Sequence, residues 1–258
     1  MSPRQAAEDR SNVVVYHVAR IAVNLCLRIL FRRFMMNRKN VPKRGAVLLV
    51  ANHQSMLDPP LIGGCVSHRR IEYLAKASLF NSLFGRIIGG LGAVPVREDG
   101  QSDTAAIREI LRRLDAGHAV LVFPEGERTN DGAMHEFKRG VTLLVKRSKC
   151  PVIPIGIDGC FDAWPREQPR PGLWGKRIGA CCGELITHEE LMADGAAAAL
   201  ARLAAEVDRL RLRVRQELRR RSKGRVPAPG LGDGLMSEPG ADNPNHPRHA
   251  NGAGEQDD

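Results

Sequence analysis

Residues 46–60 read AVLLVANHQSMLDPP. Ala46–Ala51 is an unbroken apolar run, the pattern of a strand covered on both faces, as strands of parallel sheets are. A polar turn follows, Asn52-His53-Gln54-Ser55-Met56-Leu57-Asp58, at the place where an α/β sheet opens its ligand crevice. The double proline Pro59-Pro60 sets a helix start at Pro59, because proline's fixed φ and missing N–H suit a first helical turn.

The same alternation continues outward from this stretch. Short apolar runs recur at Ala93–Val96, Ala119–Phe123 and Val152–Ile157. Between them lie helical patterns: Asp103–Ala116 places Ile107, Ile110, Leu111 and Leu114 on one face, and Phe137–Lys149 does the same with Val141, Leu144 and Val145. Strands separated by helices predict an α/β sheet with crossover connections. A last helix is expected over Ala196–Arg221, with Leu200, Leu203, Val207, Leu210, Val214 and Leu218 at helical steps. Its apolar side meets the core, a membrane or a second subunit. Beyond Lys223 the chain is rich in Pro, Gly and acidic groups, a composition that predicts disorder. The organisation read from sequence is an amino-terminal amphipathic segment over residues 1–41, a folded domain over 42–222 and a tail over 223–258.

At 258 residues with 43% hydrophobic and 26% charged content, the chain supports one domain with appendages. A formal net charge of +10 favours an anionic partner: nucleic acid, an acidic membrane surface or a phosphorylated substrate. Aromatic residues make up only 4%, and no basic stretch interleaves them as a base-stacking platform needs, so nucleic acid is not expected. The six cysteines contain no CxxC pair, and Cys181-Cys182 with His188 makes no zinc spacing. Reduced, packed thiols in a cytoplasmic setting are the expectation, with neither metal nor cofactor.

Residues 13–31, VVVYHVARIAVNLCLRILF, are long enough to span a bilayer, yet His17, Arg20, Asn24, Arg28 and Arg32 recur at steps of three or four. Placing Arg20 and Arg28 near the bilayer centre costs about 5 to 7 kcal/mol, which nearly cancels the apolar gain. A helix lying in the interface escapes that cost by leaving its cations, joined by Arg32, Arg33, Arg38 and Lys39, among anionic head groups. The expectation is therefore a shallowly inserted or peripheral helix on the cytoplasmic face of a membrane; a spanning helix, and packing of the same helix on its own protein, are the alternatives.

Two loops carry candidate chemistry. In the first, the turn before Pro59 allows Asp58 to fold back toward His53. A carboxylate on Nδ1 fixes the imidazole tautomer and leaves Nε2 to take a proton from an alcohol. The competing reading makes Asp58 a helix cap and His53 a turn residue. The second loop is Phe123-Pro124-Glu125-Gly126-Glu127-Arg128-Thr129, again after a buried strand. Gly126 lets backbone approach a ligand, and Arg128 offers a planar fork suited to phosphate. Alternatively, Glu125 and Arg128 form a salt bridge that steadies the loop. Arg97 and Lys138 either add positive charge to this site or stay as solvated surface groups.

These residues in this order resemble the glycerolipid acyltransferase family, which includes the lysophosphatidate acyltransferases. NHQSMLD matches the family's NHxxxxD block, FPEGERT resembles its FPEGTRS block, and VIPIGIDG is similar to its hydrophobic VxPV block. The likeness runs from about Val41 to Gly159. It implies a mixed, largely parallel sheet flanked by helices and preceded by a membrane-seated helix. It also implies His53 as general base, Asp58 as its partner, and Glu125, Gly126 and Arg128 as holders of a phosphate-bearing acceptor, with Arg97 as a further cation. Glu127 stands where the family usually has threonine, and Arg97 precedes the acidic residue that it usually follows.

The implied reaction moves a fatty acyl group from acyl-CoA or acyl-carrier protein to the free hydroxyl of a lysophospholipid, lysophosphatidate giving phosphatidate, at an anionic membrane surface. Other acceptors, glycerol 3-phosphate or a lyso-ornithine lipid, remain open, as does a noncatalytic membrane-binding role. No GxSxG elbow, P-loop or GxGxxG turn is present.

Overall fold

Val47–Ala51 (β2) contains no polar side chain and is buried along its whole length, so it belongs inside a sheet. In the computed structural model, which describes residues 18–81, 83–96 and 102–227, β2 pairs in parallel with Val152–Asp158 (β6) on one side and Ala119–Val122 (β5) on the other. Beyond β5 come Ile71–Lys76 (β3) and Ala93–Val96 (β4), both parallel to it. Beyond β6 come Gly179–Cys182 (β7) and Phe34–Met36 (β1), completing a seven-stranded sheet in the order β1-β7-β6-β2-β5-β3-β4. Because β7 is antiparallel to β6 and β1 is parallel to β7, these two strands run against the other five. The sheet is mixed and largely parallel, as the sequence predicts.

Successive residues of β2 serve opposite faces. Leu49 and Ala51 join one core layer with helix α1 (18–31), Asp58–Cys65 (α2), Leu83–Gly90 (α3) and Cys160–Ala163 (α6). Leu48 and Val50 join the other, with Ser102–Asp115 (α4), Gly140–Ser148 (α5), His188–Met192 (α7) and Gly195–Ser222 (α8). Helix α8 crosses β6 so closely that a Cβ on Gly156 would strike the backbone of Leu210 and Arg211. The three possibilities left open for the last helix are thereby reduced to core packing along the Leu203, Val207, Leu210, Val214 and Leu218 face.

Helix α1 departs from the expected orientation. Leu27 and Phe31 are buried against the core, with Val23 and Leu30 packed beside them. Arg20 and Asn24, expected on a polar stripe among lipid head groups, turn toward the protein: Arg20 Nε and Asn24 Oδ1 are both buried without a hydrogen-bond partner, and Asn24 lies against Gly64 of α2. The outward face is apolar, formed by Val18, Ile21, Leu25 and Ile29. Among the described residues no helix is long and apolar enough to cross a membrane. Residues 1–17, with His17, and most of the tail assigned to 223–258 lie outside the described residues.

Candidate active site

The order β6-β2-β5 brings the carboxyl ends of three adjacent strands together, and each is followed by a loop that carries polar groups. The loop after β2 is anchored first. Asn52, buried, donates from Nδ2 to Ile157 O at 2.9 Å and accepts from Ile157 N at 2.7 Å, which extends the β2–β6 pairing through a side chain. Gln54 donates to Asp158 Oδ1 at 3.0 Å and to Gly132 O at 3.2 Å, and Arg215 of α8 closes on Asp158 Oδ2 at 2.9 Å. Ser55 Oγ donates to Trp164 O at 2.8 Å.

Within that frame Asp58 does fold back. The helix starts at Asp58, one residue before the expected Pro59, and the carboxylate, fully buried, points into the preceding turn. Its Oδ2 accepts from Gln54 N at 2.6 Å and Ser55 N at 2.7 Å, and lies 2.8 Å from His53 Nδ1. Two backbone donors fix the carboxylate before the imidazole uses it, so the ring's orientation is inherited from the turn. The ring stacks on Phe123, with centroids 4.0 Å apart and planes 16° from parallel. Nε2 has no protein partner among the described residues, and the side chain is 18% exposed, so a ligand can reach the free nitrogen.

The loop after β5 braces the first. Glu125 is buried, with Oε1 accepting from His53 N at 2.6 Å and Oε2 from His135 N at 2.8 Å. Thr129 N donates to His53 O at 2.9 Å, so both main-chain groups of His53 are held by this loop. Glu125 and Arg128 do not pair: both carboxylate oxygens are taken by backbone amides. Burial pushes the Glu125 carboxyl up to about 7, against the lowering effect of those two amides.

A pH-dependent contribution to stability follows. The folded-state Glu125 carboxyl holds a proton that the unfolded chain releases near its ordinary 4.5, so stability present below that pH is lost as pH rises toward 7. Relative to Glu125→Gln, wild-type stability is expected to fall by up to about 3 kcal/mol across that interval. Denaturant unfolding of both proteins from about pH 4 to about pH 8 measures the difference. Parallel profiles would mean that the carboxyl titrates normally.

Three cations surround this loop. Arg128 is half-buried, and no carboxylate pairs with its fork among the described residues. Burial holds it below the usual arginine range, helped by Arg166 and opposed by Asp58, so the group sits within the field of the His53–Asp58 pair. Lys138 lies over Gly126, whose φ of 77° suits glycine and where a Cβ would come within 2.6 Å of Lys138 Nζ. Arg166 Nη1 binds Glu127 Oε2 at 2.7 Å on the exposed rim, so the unusual carboxylate at 127 is engaged there. Arg97 lies outside the described residues.

Sequence reasoning missed Asn52, Gln54, Asp158, Arg215 and His135. The first two sit directly after an apolar strand, where a polar side chain is either exposed or a buried brace. His135 acts through its main chain, which leaves no side-chain signal.

Comparison with known proteins comes to the same place. Residues 32–158 match the model of the family described as Acyltransferase. The chain is 26% identical over 161 residues to the chloroplastic 1-acyl-sn-glycerol-3-phosphate acyltransferase BAT2 of Brassica napus, covering 61% of this chain and 46% of that one. It is 31% identical over 130 residues to a probable 1-acyl-sn-glycerol-3-phosphate acyltransferase of Mycoplasma pneumoniae, 48% of each chain, and 28% identical over 162 residues to that of Pseudomonas aeruginosa, 61% of each. The chain thus spans about half the length of the first two relatives. The crystal structure of the 1-acyl-sn-glycerophosphate acyltransferase PlsC from Thermotoga maritima has the same fold, with a TM-score of 0.56 and 24% identity over 81% of this chain and 84% of that one.

Proposed function

From the match of residues 32–158 to the acyltransferase family model, we propose that the chain is a membrane-associated O-acyltransferase that moves a fatty acyl group from acyl-CoA or acyl-carrier protein to the free hydroxyl of 1-acyl-sn-glycerol 3-phosphate, giving phosphatidate. The observation that carries this reading is the imidazole of His53, pinned through Nδ1 by Asp58 with Nε2 open. In the reaction Nε2 takes the hydroxyl proton as the oxygen attacks the thioester carbonyl carbon. The tetrahedral intermediate collapses with cleavage of the C–S bond, and the thiolate recovers the proton from the imidazolium. The buried negative charge of Asp58 faces the positive charge that forms on the ring. No acyl-enzyme enters this scheme: Cys65, Cys150, Cys160, Cys181 and Cys182 are buried thiols, all raised by desolvation, Cys182 to about 12.

Glu125 holds the His53 backbone in this scheme, while Arg128, with Gly126 and Lys138 beside it, receives the acceptor phosphate. Charge-assisted hydrogen bonds of this kind contribute about 1.5 to 3 kcal/mol, so Arg128→Ala should raise the acceptor KM roughly 10- to 100-fold. The thioester KM should stay near the wild-type value. Kinetics with each substrate varied in turn decide this; an unchanged acceptor dependence would remove Arg128 from the site. The apolar outer face of α1 and the cations near it support attachment to an anionic membrane surface.

The test of the reaction uses purified full-length protein, a panel of detergent-dispersed lysolipids, and labelled acyl-CoA or acyl-carrier protein, with products identified by mass. Lysophosphatidate should give phosphatidate. Absence of any acylated lipid from folded protein with either donor would end the proposal.

A further inference from the structure

Among the described residues, most of the exposed large apolar side chains lie on α1 and on the loop that precedes β7. Val18, Ile21, Leu25 and Ile29 form the outer stripe of α1, and Leu173 and Trp174 stand on the loop leading to β7, Trp174 being 89% exposed. Ile29, Leu173 and Trp174 share the wall of a cleft of about 520 Å³ with Arg32 and Arg177. Those two arginines also face an adjoining cleft of about 510 Å³, which Arg28, Arg33 and Arg221 line as well. Apolar side chains and cations therefore form one continuous surface.

The positive charge of the second cleft is poorly compensated. Of its five arginines, Arg221 alone has a carboxylate within ion-pair distance among the described residues, Glu217 at 2.6 Å, and that carboxylate also binds Arg220. Arg33 gives Nη1 to Cys65 Sγ at 3.0 Å, while its buried Nε has no partner. Burial holds the Arg177 guanidinium below its usual range, and Arg32, Arg225 and Arg221 push it further the same way. Arg32 itself takes a left-handed backbone, φ 43°, which ends α1 beside the cleft. A non-glycine residue pays for that conformation with about 1 kcal/mol or more. The register Phe34↔Gly179 and Gly179↔Asp158 places the cleft at the edge of the sheet where β2 and β6 end. From β2 it lies three strand spacings away, roughly 14 Å.

We propose that this surface is a membrane-docking site in which the arginine cleft holds the phosphate of an anionic phospholipid headgroup while Trp174, Leu173 and the outer stripe of α1 enter the bilayer interface. The proposal deepens the reading of the chain as an enzyme working on a membrane-borne acceptor, and rests on it. Arginine forks bind phosphate bidentately. An indole with an exposed apolar body and one N–H belongs at the lipid–water boundary, and cations flanking an apolar stripe are the signature of a surface-seated helix. A nucleic-acid phosphate would suit the arginines but would leave six apolar side chains in water.

The test is flotation of the full chain with vesicles of phosphatidylcholine alone and of phosphatidylcholine containing about 30% phosphatidylglycerol. Wild type should bind the anionic vesicles at least about ten-fold more tightly. Arg177→Glu and Arg28→Glu should each remove most of that preference while leaving binding to neutral vesicles, and Trp174→Ala should weaken binding to both. Arg28 is exposed on α1, so its variant decides the question if Arg177→Glu does not fold. The proposal is overturned if the charge reversals leave the anionic preference intact. It is equally overturned if inorganic phosphate at matched concentration shifts tryptophan emission as strongly as vesicles do, or if a homopolymer RNA outcompetes them. Flotation reads no turnover, so these results stand apart from the acyl-transfer assay: a protein that docks but never acylates a lipid would refute the reaction alone.

Discussion

His53→Ala should yield a folded protein whose turnover falls by at least about a thousand-fold, the scale on which a positioned general base acts. That loss corresponds to about 4 kcal/mol of transition-state stabilisation. The fold should survive because the neighbours of His53 hold its main chain and not its ring: Glu125 accepts from its N–H at 2.6 Å and Thr129 donates to its carbonyl at 2.9 Å. What disappears is the stacking on Phe123 and Nε2, the His53 ring nitrogen left open by the Nδ1 contact with Asp58. The KM values for lysolipid and thioester should change little, since the ring moves a proton and neither the acceptor phosphate nor the acyl chain depends on it. Single-turnover measurements with an unfolding midpoint as control decide the matter. A well-folded variant that forms product at the wild-type rate would end the case for base catalysis.

Much of this site could be read in the sequence because its residues sit next to the strongest fold signals in the chain. β2, β5 and β6 are buried on both faces, and their apolar runs stand out against any neighbouring segment. Polar groups directly after such runs have to emerge at the crevice. β3 was not legible, because Glu72 interrupts its apolar pattern; that buried charge is held most closely by Arg113 at 2.6 Å and His118 at 3.1 Å, partners beyond any local window, with Arg70 farther off at 3.8 Å. β7 reads Gly-Ala-Cys-Cys and β1 has three residues, too little for either period to register.

Inside the site, residue type was legible and its partner was not. The glutamate of the second loop was expected at the acceptor phosphate, yet burial turns it to backbone amides, a consequence of how two loops pack. Helix α1 teaches the same lesson on a larger scale. Its periodicity identified an amphipathic helix, but it has apolar side chains on two sides, and only contact with Gly64 of α2 reveals which side takes Arg20 and Asn24 inward.

Asp58→Asn is expected to lower kcat by roughly a thousand-fold or more while leaving the loop standing. The amide is nearly the same shape as the carboxylate, and its oxygen can occupy the position where Gln54 N, Ser55 N and His53 Nδ1 converge at 2.6, 2.7 and 2.8 Å. Backbone donors then remain satisfied, and Nδ1 can still donate. What is lost is the buried negative charge that faces the imidazolium as it forms, together with any guard against the amide turning its NH2 toward Nδ1 and reversing the tautomer. Asp58→Ala differs in kind: it strands two buried amides, each at a cost of about 1 to 3 kcal/mol, and should reduce stability as well as rate. Comparing the two variants separates chemistry from architecture. If Asp58→Asn kept both kcat and stability while Asp58→Ala lost them together, Asp58 would be a brace for the turn, and charge on the imidazole would need another source of stabilisation. If Asp58→Asn loses kcat at unchanged unfolding midpoint and unchanged KM for either substrate, the carboxylate acts through the ring at the moment the proton moves.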